Sequence, residues 1–233
     1  MKRLILLSMA VLALVACRSN APTRSAADGL QSFRYDLTAV TTGVFGDAAT
    51  GAGDASLKVA VTGDVADAHR ERALTEMKLG TSTVNLERVR IDDKAWSRDG
   101  KSSNWTQGLA SATSGTAGLG LDSTALIGAD AHARIKTALD GLTATEEQVG
   151  DVVTQRYTVP AERMRVILGA SATGEQTSLG RITKESTFWV TKDGQLPVKL
   201  VTDTSPTTGG TVHIEVSVRD RNASIEVKQP GQG

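Results

Sequence analysis

Apolar and polar side chains alternate with a period of two through most of this chain beyond residue 32, the mark of strands with one buried and one wet face. Phe33, Tyr35, Leu37 and Ala39 alternate with Arg34, Asp36 and Thr38. Leu57, Val59 and Val61 alternate with Lys58, Ala60 and Thr62, and Met77 and Leu79 flank Lys78. Over 83–91 the phase changes: Val84 and Leu86 share one face, Val89 and Ile91 the other. That change predicts a bulge near Glu87 and Arg88. Asp92-Asp93 ends this strand, Ala95-Trp96-Ser97 begins the next, and Asp99-Gly100 supplies a turn.

The pattern is clearest in the last third. Segments 187–191 and 196–202 flank Lys192-Asp193-Gly194-Gln195, and Asp-Gly marks a tight hairpin because both residues tolerate positive φ. Val212, Ile214, Val216 and Val218 alternate with His213, Glu215 and Ser217, and Ile225 and Val227 predict a last short strand. Sequential hairpins make antiparallel sheets, which keep one face apolar and one wet.

Two segments carry the helical period instead. Asp130 fits an N-cap, Ala131, Ile135, Leu139 and Leu142 share a face, and Gly141 fits the end of the helix. Pro160 fits the first position of a shorter helix with Met164, Ile167 and Leu168 on one face and Gly169 as its stop. Residues 107–129, rich in Gly, Ala, Ser and Thr with scattered leucines, read as a mobile cover with a short helix near 122–127, or as a plain surface loop. Residues 169–180 read as a second loop. The fold expected is α+β: a strongly curved antiparallel β half-barrel with helices covering its concave apolar face.

The N-terminus changes the setting. Lys2 and Arg3 precede an apolar run that ends in Leu14-Val15-Ala16-Cys17. The run is too short to span a bilayer, which takes about 20 residues, and reads as an export signal over residues 1–16. Cys17 is the only cysteine, so no disulfide can form within the chain. Residues 17–29 are small and polar, so that 17–30 read as a lipidated N-terminus and flexible tether, and 31–229 read as a single domain. The 26 basic and 26 acidic side chains cancel, which disfavours nucleic-acid binding.

Chemistry is sparse. His69, His132 and His213 are scattered outside any metal-ligand spacing and read as surface residues. No Gly-x-Ser-x-Gly elbow, phosphate loop or dinucleotide fingerprint is present. Glu146-Glu147 and Asp92-Asp93 are adjacent pairs, which point to opposite faces of a regular strand and cannot converge on one bond. The expectation is a non-enzyme with no cofactor and no metal. Trp96 and Trp105 fit either a rim clamp or a pin between hairpin and core.

The lipobox-like ending at Cys17, the tether, Val-Arg-Ile-Asp-Asp-Lys-Ala-Trp at 89–96, Asn104-Trp105, Tyr157-Thr158-Val159-Pro160 and the 188–198 segment together resemble the LppX/LprG-type lipoproteins of mycobacteria. More distantly the layout is similar to the LolA and LolB lipoprotein carriers. The resemblance implies lipidation of Cys17, a lipid anchor at the extracytoplasmic face of the cell membrane, and a cavity for lipids or acylated glycolipids. An envelope transporter is the membrane partner such a carrier would take. The residues expected to line the cavity are Val59, Val61, Met77, Leu79, Ile135, Leu139, Met164, Ile167, Leu168, Phe188 and Val190, with Leu126 and Ile127 in the cover. The alternative is a structural or interaction lipoprotein with a solid core that works through its outer surface.

Overall fold

A computed structural model describes residues 28–43, 56–109, 123–169, 181–193, 195–206 and 209–231. The expected signal, Cys17, most of the tether, the middle of the expected cover and the 170–180 loop lie outside the described residues.

The alternating segments form β1 (Phe33–Thr42), β2 (Leu57–Asp67), β3 (Arg70–Leu79), β4 (Ser82–Ile91), β5 (Lys94–Asp99) and β6 (Thr106–Leu109). After a 3-10 turn (Ser123–Leu126) and α1 (Gly128–Leu139) come β7 (Ala144–Val149), β8 (Val152–Val159), α2 (Ala161–Leu168), β9 (Arg181–Ile182), β10 (Ser186–Thr191), β11 (Pro197–Ser205) and β12 (Thr211–Arg219). Among the described residues the strands make one twelve-stranded sheet, in the order β6-β5-β4-β3-β2-β1-β12-β11-β10-β8-β7, with β9 beside β11. Every pairing between strands is antiparallel and the sheet does not close: it is the α+β half-barrel that the alternation predicts. One of the ten neighbouring pairs along this path is β1 with β12, which joins the first strand to the last at mid-sheet, Arg34 opposite Arg219 and Thr42 opposite Thr211.

Three apolar clusters hold the sheet. On its inner face Phe33, Leu37, Val59, Val61, Val65 and Ile214 come together, with Leu126 and Ile127 packed against them. Under the helices, Ile135 and Leu139 of α1 and Met164 and Ile167 of α2 meet Val159, Phe188 and Val190. On the outer face Val89 and Trp96 are covered by Val227, with Ile225 and Trp105 at the margin. Trp96 and Trp105 thus pin a hairpin to a core, and the Arg98 guanidinium lies 4.7 Å over the Trp105 ring.

Several expectations need correction. β4 has no bulge at Glu87 and Arg88: it pairs without interruption with β3 (Leu74 opposite Glu87, Ala73 opposite Arg88) and with β5. The phase change arises because both faces are covered here, so Val89 packs outward while Arg88 takes an inward position. Register shifts occur instead between Val65 and Asp67 and between Trp189 and Val190. Ile225 and Val227 form no strand, since the segment packs through side chains. Thr106–Leu109 pairs with β5 as an edge strand, although it falls partly within the expected cover.

α1 begins before Asp130: Ile127 is its N-cap, in a parallel bridge with Leu30, and the Gly128 N–H donates to the Leu30 carbonyl at 2.8 Å. A tertiary contact sets that boundary, and Asp130 lies in the first turn, where negative charge suits the helix dipole. Leu30, assigned by sequence to the tether, is buried in the core. Leu142 lies beyond the helix end, where Gly141 takes φ 71°. Pro160 is the N-cap of α2 and not its first helical residue.

Candidate functional site

A hollow lies between the inner face and its roof. Phe33, Tyr35 and Leu37 of β1 and Val216 and Val218 of β12 face it from the sheet, Phe188 reaches it from β10, and Leu126, Ser123 and Leu168 come from the 3-10 turn and α2. These strand residues reach it because alternate positions share a face, and Leu168 because the α2 stripe turns to the sheet. The hollow has about 620 Å³ of space counted out to its mouth, and the centre of a water-sized sphere can move through about 50 Å³ of it. One water needs about 10–15 Å³ on that measure. The space therefore holds a short run of methylenes, and its wall is almost wholly apolar.

A polar cluster adjoins it. Glu71 on β3 is buried, and its Oε1 accepts from the Tyr35 hydroxyl at 2.9 Å and the Ser123 hydroxyl at 2.6 Å. Arg90 Nε stands 3.9 Å from the other carboxylate oxygen. Tyr35 can lie across the sheet because Gly63 is its cross-strand partner: a Cβ on Gly63 would stand 2.1 Å from the tyrosine ring. Burial pushes the Tyr35 hydroxyl well above its ordinary pKa, and the Glu71 carboxylate pushes it further.

Beyond Gly63 the same cross-strand row continues through Ala73 to Arg88. Arg88 is 5% exposed, and its Nε, Nη1 and Nη2 are buried without a hydrogen-bond partner. Burial pulls its pKa down while Glu71 opposes the shift. Glu71, Ala73, Arg88 and Arg90 border a notch of about 130 Å³ counted out to its mouth, with no room for the centre of a water-sized sphere while these side chains stay in place. The small residues Gly63 and Ala73 lower the sheet surface between the tyrosine and the arginine.

Of the residues singled out by sequence, Leu126, Leu168 and Phe188 line the hollow. Ile135, Leu139, Met164, Ile167 and Val190 lie in the core between helices and sheet, while Val59 and Val61 of β2 belong to the inner cluster and Met77 of β3 and Ile127 at the start of α1 pack against it. Leu79, at the end of β3, is 40% exposed and outside the lining. Tyr35 reads in sequence only as one of the apolar positions of β1, Ser123 as part of the cover, and Glu71 and Arg88 as no part of a site, because polar residues at inward strand positions look like breaks in a pattern. The break at Glu87 and Arg88 was the available signal.

Among the described residues no group of three or more His, Cys, Asp or Glu side chains could hold a metal ion. His69 and His213 are exposed, the latter 2.8 Å from Asp203, whereas His132 is half-buried with its Nε2 unpartnered, so it is not the surface residue expected. Glu146 pairs with Lys192, and Glu147 with Arg156 and the Trp189 indole, so the two carboxylates point apart. No described helix is long and apolar enough to cross a membrane.

No family model and no curated protein matches the chain. Solved structures similar to it include a LolA superfamily protein from Nitrosomonas europaea, 8% identical over 86% of this chain and 87% of that one, at a TM-score of 0.26. A putative outer membrane lipoprotein-sorting protein domain from Vibrio parahaemolyticus is 8% identical over 89% and 90%, at 0.31. A hypothetical protein from Chlamydia trachomatis is 8% identical over 85% and 92%, at 0.27. Likeness of this degree says nothing about function, which has to follow from the residues of the chain itself.

Proposed function

We propose that the protein is an envelope lipoprotein, anchored through Cys17 at the extracytoplasmic face of the cell membrane, that binds lipids or acylated glycolipids and carries or holds them. The observation that supports this is the hollow between the roof and the inner face of the sheet, walled by Phe33, Leu37, Leu126, Leu168, Phe188 and Val216. Burying an alkyl chain there yields about 0.8 kcal/mol per methylene and requires no directional contact, so such a site has no need of a motif. Leu126 and Leu168 would move outward to admit a longer chain. A transporter in the envelope would be the natural partner for loading or release.

The test is native mass spectrometry of the chain begun at residue 18, purified from a lipid-containing host, with titration by a fluorescent fatty acyl probe. Co-purified acyl species and saturable uptake support a carrier. Leu168→Trp, which fills the hollow from α2, should reduce uptake at least tenfold while the circular dichroism of the fold persists. No bound lipid and no uptake would favour the solid-core module that works through its outer surface.

A further inference from the structure

We infer that Arg88 is an anion-recognition point beside the hollow, so that the ligand is an amphiphile whose acyl chain occupies the apolar space and whose carboxylate or phosphate meets the guanidinium. This rests on the acyl-binding reading above and adds the ligand's charge to it.

Three observations carry it. Arg88 is a buried guanidinium with all three nitrogens unpartnered, whereas other carboxylates and guanidinia on the same strands are paired: Glu87 with Arg72 and Arg98, Glu71 with Tyr35 and Ser123. Burying a guanidinium without hydrogen-bond partners is costly, and an apolar residue of similar size would often be as stable there or more so. Second, the notch holds Arg88 and Arg90 against the single carboxylate of Glu71, an excess of one positive charge. Third, the notch adjoins the hollow: Tyr35 and Ser123 line the hollow and also bond to Glu71, which borders the notch. The Ser123–Glu71 hydrogen bond lies where the two spaces meet. An entering headgroup would have to part the Arg88, Arg90 and Glu71 side chains, and the planar guanidinium then offers paired N–H donors to a carboxylate or phosphate.

The experiment titrates the protein with cis-parinaric acid and with its methyl ester, which share a chain and differ in charge. The acid should bind about tenfold tighter or more, the effect of one charge-assisted hydrogen bond. Arg88→Met should bring that ratio close to one, leave ester affinity unchanged and raise the melting temperature. Equal affinity for acid and ester in the wild type, or a ratio unchanged in Arg88→Met, would overturn this inference alone. Failure of both probes to bind would overturn the acyl-binding reading together with it. Inorganic phosphate in excess should leave the acid bound; displacement would mean a free-anion site and would overturn the amphiphile. If Arg88→Met does not fold, Arg88→Gln serves the same comparison, and the wild-type ratio is decisive without either variant.

Discussion

Single side chains decide what the inner face can do. Tyr35 reaches Glu71 only because Gly63 leaves room for its ring, so Gly63→Ala should destabilise the protein by about 1–3 kcal/mol through overpacking, read by chemical denaturation. Glu87 gives a pH test on the other face. Burial raises its pKa, but hydrogen bonds from Arg98 and Arg72 outweigh that and leave it below the ordinary value of 4.5. A carboxyl lowered in the folded state contributes stability above its unfolded pKa and loses it as pH falls through the folded one. Stability should therefore decline as pH drops below about 4.5, and Glu87→Gln should flatten that decline. Thermal melts of both proteins between pH 3 and pH 7 would measure it, on the order of the window that linkage sets.

Elements were legible where one face is apolar and neighbours agree. The Lys192-Asp193 hairpin and the stripe of α2 followed from sequence, since a turn preference and a helical period are local properties. Ile167 lies at the centre of the packing under α2, and Ile167→Ala should cost about 2–5 kcal/mol in urea unfolding. α1 starts at Gly128 and not after Asp130 because a bridge to Leu30, nearly a hundred residues away in sequence, outweighs the capping preference of Asp130. Ile225 and Val227 alternate as a strand would, yet they cover Val89 and Trp96 without a ladder. Ending the chain after Ala223 should lose about 1.5–3 kcal/mol for the burial of Val227, seen as a lower melting temperature.

At the scale of the molecule, β12 is the seam: it pairs β1 on one side and β11 on the other, so neither half of the sheet is complete without it. A chain ending before Thr211 would expose two inner edges and should aggregate, which size-exclusion chromatography would report. Pairing the two ends of the chain is a contact of high sequence separation, and refolding should fall in the slow range of about milliseconds to seconds by stopped-flow fluorescence.

By itself the sequence determined β1 to β5 and β10 to β12, the two helical stripes and an antiparallel sheet with one apolar face, because each follows from side-chain period and turn chemistry within about ten residues. Only the tertiary structure decided which apolar residues fill the core and which border a hollow, since Ile167 and Leu168 are neighbours in one stripe yet only Leu168 lines it. It also decided that Arg88 faces inward beside Glu71 and Tyr35. Those three residues meet across four strands, and a relation of that kind is set by register between strands, which no local pattern encodes.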